Sequence, residues 1–400
     1  MGPAKVWGSF SVLFLALAAC SGADDGSVGD GSGGNGSGGP GGSATTTSGT
    51  DPGGPGGSSS TAPGSPTDGI KNGTESDVDC GGTGAPKCVV DKACNTNADC
   101  ATNACSYAKK CVEFPSCVVK NGGDTCGKGE SCCTTIAVNG SAKFNVDKYA
   151  LTAGRMRAFV EATQGNMQKW VNDTKPKGWN DAWTSHLPSS MDEALDKLGP
   201  HGKRGCNVVN QGGRTYWQPA GPAIDNDKGE VSDFSQDVLD QKALNCVTWH
   251  VAQAACAFDG KRLMKTNEAR ALYKNDNTTT YPWQFQDKSA YDPTKPDDRL
   301  AHRYNYVTPN APAAMRLVNN SYPLDHAFYI APPGSFPKGA NSNGVEDMAG
   351  NTLPWLFESE NLFIWTFSWE NHKGDATTGT WNVSDGPEGY YAIGARCASD

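Results

Sequence analysis

The sequence predicts an α+β protein whose largest part, residues 136–400, is one loop-rich domain. Three observations support this prediction. A few segments have capped helical patterns, and between them Gly, Pro and Asn interrupt the sequence every few residues, which favours loops and short hairpins. Ahead of this domain, a cysteine-dense region predicts a small disulfide-rich module, and a Gly/Ser-rich region predicts a disordered stalk.

Residues 1–20 are typical of an export signal. Lys5 precedes an apolar run over residues 10–19 that is too short to span a bilayer. The run ends in Leu-Ala-Ala-Cys at residues 17–20, which resembles the bacterial lipobox. This resemblance implies that Cys20 is lipidated and anchors the protein in the cell envelope, in the outer membrane and facing the surface or the periplasm. Secretion without a lipid is the alternative.

Residues 21–67 predict a flexible linker. They are almost entirely Gly, Ser, Thr and Pro with a few Asp, and such a composition cannot bury enough apolar surface to offset the entropy of ordering. A random coil of this length spans roughly 35 to 40 Å, which would lift the folded part away from the lipid headgroups.

The overall composition fits an exported protein that does not bind nucleic acid. The net charge is −9 with a pI near 5.2, and no cluster of Lys and Arg stands out. The chain has 15 cysteines. If Cys20 is lipidated, 14 cysteines remain, and this even number favours complete pairing in an oxidising compartment.

Residues 68–117 predict a disulfide module, because they contain many cysteines and few large aliphatic side chains. The opening DGIKNGTESDVDCGG resembles a cysteine-rich repeat of surface proteins from myxobacteria and related Gram-negative bacteria. Two metal roles are alternatives. Zinc would use the cysteines, and calcium would use the hard carboxylate oxygens of Asp68, Asp77 and Asp79.

Residues 118–135 predict a cysteine-rich bridge into the main domain. Together with Cys117, the three cysteines of the bridge form a further even set. Cys132 and Cys133 are adjacent, and neighbours rarely bond to each other because the geometry is strained, so each is expected to pair elsewhere. The connectivity within either set remains open.

Three helices are predicted in the main domain. Thr152 is a natural N-cap for a helix with one apolar face, formed by Met156, Phe159 and Val160. Thr248 caps a second helix from about residue 249 to residue 258, and Gly260 ends it. Thr266 begins a third, shorter helix.

Two segments of this domain carry a family resemblance. Residues 245–263 read NCVTWHVAQAACAFDGKRL, and residues 344–351 read GVEDMAGN. They are similar to the signature segments of the sulfatase-modifying-factor family, the formylglycine-generating enzymes and their relatives. The usual forms are N-C-V-S-W-x-x-A-x-x-Y-C-x-W-x-G-K-R-L and G-L-x-D-M-x-G-N-V-W-E-W. The resemblance implies an irregular α+β fold related to the C-type lectins.

The resemblance also implies structural residues. In the family, the cysteine that ends the second helix pairs with the cysteine of a final G-F-R-C motif, which corresponds to Cys256 and Cys397 here. Relatives that read N-C-V before the tryptophan imply a second pair, Cys206 and Cys246. Family members bind calcium around an N-x-x-G-L segment, which corresponds to Asn341–Gly344. A buried structural turn is the alternative role of Asn341 and Gly344.

The copper centre of the catalytic relatives has no counterpart in this sequence. The resemblance implies two cysteines after an R-G-G-S-W motif, which bind copper(I) and use oxygen to convert a substrate cysteine into formylglycine. Thiolates suit copper(I) because both are soft. The corresponding residues 363–381 keep only Ser368 and Trp369 of the motif, and residues 257–396 contain no cysteine.

Other catalytic templates are also missing from the sequence. The six histidines are dispersed without an H-E-x-x-H motif, and no G-x-S-x-G elbow occurs. Aromatic residues are instead abundant near the C-terminus. Aromatic faces stack on sugar rings and bind peptides, so three of these residues are candidates for ligand binding, with core packing as the alternative: Trp365, Trp369 and Trp381.

The sequence therefore predicts a surface-anchored lipoprotein with a catalytically silent domain that binds a glycan, a peptide or an envelope partner. The alternative is a formylglycine-generating oxidase that acts on sulfatase-type cysteines. Calcium is the candidate cofactor, and the missing cysteine pair argues against copper.

Overall fold

The computed structural model describes residues 65–126, 129–198, 215–216, 235–273, 282, 330–335, 337–348, 351–358, 362–365, 379–382 and 393–400. All of them fall within Thr61–Asp400, one of the two units into which the chain divides. Within these ranges no helix has the length and apolar character needed to cross a membrane. The predictions for residues 1–20, for Cys206 and for Trp369 lie outside the described residues.

Eight short strands are described, in three sheets. They are β1 (Thr135–Asn139), β2 (Lys143–Asp147), β3 (Arg262–Leu263), β4 (Leu353–Pro354), β5 (Leu362–Trp365), β6 (Gly379–Asn382), β7 (Ile393–Gly394) and β8 (Cys397–Ser399). The largest sheet is antiparallel in the order β1-β2-β8-β3. Because β8 lies between β2 and β3, this sheet joins the two ends of the main domain.

Six helices accompany the strands in the described residues. They are α1 (Ala153–Ala162), α2 (Met167–Thr174), α3 (Met191–Leu198), α4 (Gln236–Asp240), α5 (Trp249–Phe258) and α6 (Thr266–Tyr273). Together with the strands they confirm the predicted α+β class.

The three predicted helices are confirmed as α1, α5 and α6. Thr152 Oγ1 accepts a hydrogen bond from the backbone N–H of Arg155 at 3.1 Å, and Thr248 Oγ1 accepts one from Val251 at 3.3 Å. Gly260 adopts a φ of 69° directly after α5, a left-handed conformation that glycine tolerates best. Local capping chemistry therefore fixes where α1 and α5 begin and where α5 ends.

The expectation of loops outside these three helices is wrong for α2, α3 and α4. An eight-residue helix such as α2 or α3 is marginal in isolation, so local patterns predict it poorly. In the folded chain α2 buries Met167 and Val171, and α3 buries Ala194 and Leu198. Tertiary packing of these few side chains stabilises helices that the sequence alone does not specify.

Helix α5 occupies the centre of the main domain. Every residue from Trp249 to Ala257 is buried, as expected for a helix that is packed on all sides. The indole N–H of Trp249 donates to the carbonyl oxygen of Leu356 at 2.7 Å, and that of Trp355 donates to Val247 at 2.8 Å. These bonds attach the segment that contains β4 to the start of α5.

The cysteine-rich region is crosslinked in two separate sets. The first set contains the pairs Cys80–Cys88, Cys94–Cys105 and Cys100–Cys111, and the second contains Cys117–Cys133 and Cys126–Cys132. The adjacent cysteines of the bridge therefore pair elsewhere, as predicted. The sulfur atoms of Cys94, Cys100 and Cys105 lie close together, but all three are in disulfides, which leaves the zinc alternative without thiolate ligands.

A buried network of charges lies within the main domain and contacts the end of the disulfide module. The Arg155 guanidinium contacts Asp147 Oδ2 and Asp259 Oδ2 at 2.7 Å each, and its Nε donates to Ser116 Oγ at 2.9 Å. Lys261 Nζ contacts Asp147 Oδ1. Burial would raise the pKa of Asp147, but the charges of Arg155 and Lys261 outweigh it and hold this pKa below its usual value. We name these four charged residues the buried charge network.

Candidate functional site

A copper(I) centre like that of the catalytic relatives needs two thiolates, so the first question about this site is which cysteines are free thiols. All 13 cysteines of the described residues are disulfide-bonded, out of 15 in the chain. Cys256 bonds to Cys397 at 2.01 Å, which joins the end of α5 to β8. The partner of Cys246 lies outside the described residues, where the sequence has only Cys20 and Cys206. At most one cysteine is therefore left as a thiol.

The turn at Asn341–Gly344 uses its asparagine internally. Asn341 Oδ1 accepts from the backbone N–H groups of Asn343 at 2.9 Å and Val345 at 3.0 Å, and its Nδ2 donates to the carbonyl oxygen of Leu272 at 3.2 Å. Gly344 adopts a φ of +84°. The amide oxygen of Asn341 thus has both lone pairs engaged, which is the geometry of a structural turn.

Asp347 lies three residues further on and is chemically more unusual. Its Oδ2 accepts from the backbone N–H of Gly334 at 2.6 Å, whereas its Oδ1 has no partner among the described residues. Burial raises the pKa of Asp347 to about 6. The backbone there has a φ of 55°. A perturbed carboxyl on a strained backbone marks a candidate functional residue.

Arg396 is the cation that faces Asp347. Its guanidinium donates to backbone carbonyl oxygens rather than to a carboxylate, and burial lowers its pKa. Its three acceptors are Asp147, Lys148 and Glu346, at 2.8, 2.6 and 2.6 Å. The arginine that precedes Cys397 therefore fixes the segment before Asp347 to the end of β2.

The structure places the predicted aromatic residues only in part. Trp365 and Trp381 lie in the hairpin of β5 and β6, where Trp365 is opposite Gly379 and Trp381 is opposite Phe363. The two tryptophans are thus on paired strands. Trp369, the third predicted residue, falls outside the described residues.

A second group of aromatic residues lies on α5 and around the 3-10 segment Asp181–His186. Trp179 and Trp183 are half-buried and meet edge to face with ring centroids 5.4 Å apart. The ring of Trp183 lies 5.0 Å from that of the buried Trp249, which supports it from behind. We name Trp179, Trp183 and the neighbouring His186 the tryptophan face.

The histidine of this face stacks on a second histidine. The exposed ring of His186 lies 4.1 Å from the buried ring of His250, with an angle of 11° between the two planes. Burial lowers the pKa of His250 to about 3, so this ring is neutral at physiological pH. In this face His186 therefore stacks on a neutral ring, whereas Trp183 meets Trp249 edge to face.

The sequence analysis missed the tryptophan face. Trp183 and His186 are three residues apart in the 3-10 segment, where side chains at this spacing lie on the same side. Trp179 precedes the segment, so no helical periodicity in the sequence indicates that it joins them. Neither Trp249 nor His250 could be recognised as the support of this face from sequence, because both belong to a helix far along the chain.

A comparison with known protein families identifies the family of this chain. Residues 106–362 match the family described as the sulfatase-modifying factor enzyme 1-like domain, or FGE-sulfatase. Similar solved structures include PvdO from Pseudomonas aeruginosa, with 15% identity over 67% of this chain and 90% of PvdO and a TM-score of 0.35. They also include CarF, with 13% identity over 66% of this chain and 92% of CarF and a TM-score of 0.32.

No curated protein matches the chain. The family match covers well over half of the chain, and it includes the bridge, α1, α5 and both signature segments. The resemblance found in the two signature segments is thereby confirmed, and the chain belongs to the sulfatase-modifying factor enzyme 1-like (FGE-sulfatase) family.

Proposed function

We propose that this protein is a surface-anchored lipoprotein whose FGE-sulfatase domain lacks the copper oxidase centre and binds a glycan. The pairing of the cysteines is the observation that carries the first part. Thirteen of 15 cysteines are in disulfides, and Cys246 takes its partner from the two that remain. One thiol at most is left, and one thiol cannot supply the two soft ligands of a copper(I) site. Copper therefore does not fit this chain.

The tryptophan face supports the second part of the proposal. Trp179 and Trp183 present half-exposed rings; Trp183 packs against the buried Trp249, and Trp179 packs against Trp183. Sugar rings stack on such surfaces, and preorganised rings lose little entropy on binding. Calcium at Asn341 is not part of this proposal, because its amide oxygen already accepts two backbone N–H groups.

The location of the protein rests on its first residues and on its disulfides. The lipobox-like residues 17–20 imply a lipid on Cys20, and the crosslinked region of residues 80–133 suits an oxidising compartment. We propose the outer membrane, with the folded part on the surface or in the periplasm. Mass spectrometry of the protein purified from its native membrane should find two acyl chains on residue 20, and an unmodified N-terminus after cleavage would contradict the anchor.

The loss of oxidase chemistry is tested with a peptide that contains Cys-x-Pro-x-Arg, incubated with the protein, copper(I) and oxygen. We expect no aldehyde by mass spectrometry, and alkylation of the unreduced protein in denaturant should label at most one cysteine. Formation of the aldehyde would instead establish the alternative, a formylglycine-generating oxidase, which only family membership favours at present.

Glycan binding is tested on a glycan array with the wild type, Trp179→Ala and a control, Tyr107→Ala. Tyr107 is an aromatic residue of the disulfide module with 65% of its surface exposed, so its removal should leave binding unchanged. Loss of one stacking ring should weaken binding about tenfold or more. Equal binding by wild type and Trp179→Ala, or binding of peptides alone, would contradict the glycan proposal.

A further inference from the structure

Two buried oxygen atoms in the disulfide module have no hydrogen-bond partner among the described residues. They are Asn72 Oδ1 and Glu75 Oε1, which lie three residues apart in the loop before Cys80. Only 8% of the surface of Glu75 is exposed. A buried carboxylate oxygen without a partner is costly, so a pair of such atoms in one loop requires an explanation.

Hydrogen bonds fix the position of both side chains. Glu75 Oε2 accepts from the backbone N–H of Asn72 at 3.1 Å, and the backbone N–H of Glu75 donates to the carbonyl oxygen of Asn72 at 3.1 Å. The Glu75 side chain is therefore folded back onto Asn72. Asn72 Nδ2 donates to Asp68 Oδ2 at 2.9 Å, which identifies the other amide atom as the oxygen.

The same loop concentrates negative charge. Asp68 Oδ1 accepts from the backbone N–H of Ile70 at 2.9 Å, and both carboxylate oxygens of Asp79 accept from Gly69. Among the described residues, none of the three carboxylates of this loop, Asp68, Glu75 and Asp79, forms a salt bridge. The lysine that pairs within this part of the module, Lys92, contacts Asp77 instead. Residues 68–79 contain four carboxylates and one lysine, Lys71, so the loop holds oxygen ligands and a net charge of −3.

We infer that residues 68–79 bind one divalent cation of the calcium type, with Asn72 Oδ1 and Glu75 Oε1 as ligands. Hard oxygen atoms of carboxylate, amide and backbone carbonyl groups are the ligands that calcium prefers. Softer metals lack a thiolate here, since every cysteine of the module is in a disulfide. Asp68 accepts from Asn72 Nδ2 at 2.9 Å and so holds the amide group in the orientation that leaves Oδ1 unpartnered.

The geometry also limits the calcium affinity of this site. No three carboxylates of the described residues lie within 4.8 Å of one another, so water and backbone carbonyl oxygens complete the coordination. Sites with few charged ligands in extracellular modules bind calcium with dissociation constants of roughly 10⁻⁴ to 10⁻³ M. Such an affinity suits a protein outside the cytoplasm. The bound ion would hold the loop against Cys80, whose carbonyl oxygen accepts from Ser76 and Asp77 at 3.1 Å each.

The test is calorimetric titration of the intact, disulfide-bonded chain with CaCl2 after treatment with EDTA. We expect one saturable site in wild type, at least tenfold weaker binding in Glu75→Gln and tighter binding in Asn72→Asp. Asp91→Asn is the matched control, because Asp91 is an exposed carboxylate of the same module and asparagine tolerates its φ of 72°. Its affinity should equal that of wild type.

Three outcomes would overturn the inference. The first is that wild type does not bind calcium up to about 10 mM, a concentration at which a site of this class is saturated. The second is that Glu75→Gln binds calcium as tightly as wild type. The third is that Asp91→Asn loses as much calcium affinity as Glu75→Gln. If Glu75→Gln does not fold, amide hydrogen exchange of the wild type with and without calcium tests the inference instead. Calcium should slow exchange of the amides of Ser76 and Asp77, and unchanged rates would mean that a water molecule satisfies the two oxygens. Neither result depends on the glycan proposal.

Discussion

The buried charge network gives the sharpest prediction for stability. Arg155 and Asp259 are both fully buried, and their side chains meet at 2.7 Å. We consider the variants Arg155→Met and Asp259→Asn and the double variant that combines them. Each single variant removes one member of an ion pair, and the double variant removes both.

The expected magnitudes follow from the charge balance. The network contains two cations and two carboxylates, so its net charge is zero. Arg155→Met leaves Asp259 as a buried carboxylate with only Ser116 as a donor, at 2.6 Å from its hydroxyl and 3.0 Å from its N–H. Removing one partner of a buried pair costs about 3 to 5 kcal/mol. The double variant keeps the pair of Asp147 and Lys261 and is neutral again.

The double variant should therefore cost about as much as one single variant, which corresponds to a coupling energy of about 3 kcal/mol. The measurement is urea unfolding with the disulfides intact, followed by tryptophan fluorescence. The matched control is the pair Lys169 and Asp173 on α2, whose side chains are 68% and 58% exposed. Its coupling energy should stay below about 0.5 kcal/mol.

Additivity would refute this reasoning. If the costs of Arg155→Met and Asp259→Asn sum to that of the double variant within about 0.5 kcal/mol, neither single variant leaves an uncompensated charge. Solvent would then reach the network, and Arg155 and Asp259 would not form a buried ion pair within the main domain. The cycle thus tests the burial as well as the pairing.

Three further predictions concern single groups. Because burial raises the pKa of Asp347 from 3.8 to about 6, the folded state holds a proton that the unfolded state releases. Its contribution is largest below pH 3.8 and is lost as the pH rises through 6, so wild type should lose roughly 2.5 kcal/mol relative to Asp347→Asn between pH 4 and pH 7. A constant difference across this range in urea unfolding would contradict the shift. Replacing Cys256 and Cys397 by alanine opens a crosslink between positions 141 residues apart and should cost about 5 kcal/mol in the chain-entropy model, and an unchanged urea midpoint would exclude that contribution. Thr248→Ala removes the N-cap of α5 and should cost about 1 kcal/mol, whereas Thr248→Ser should restore most of it; equal losses in the two variants would mean that the hydroxyl is not the cap.

The sequence by itself determined what depends on local chemistry. The threonine caps place α1 and α5, and the signature segments identify the family. The first signature segment and the final Gly-Ala-Arg-Cys motif at residues 394–397 imply the pairing of Cys256 with Cys397, because a motif fixes which residues occupy equivalent positions. The shortage of cysteines for a copper centre is likewise visible without coordinates.

Tertiary structure decided what depends on distant neighbours. Asp68 and Asp79 look like the acidic ligands of the disulfide module, but the unpartnered oxygens belong to Asn72 and Glu75. No pattern along the chain reveals which oxygen a backbone N–H has already engaged. The same holds for the tryptophan face, whose support comes from Trp249. The sequence gives the type of each side chain. Whether its polar atoms and ring faces are available to a ligand depends on the residues that folding brings beside it.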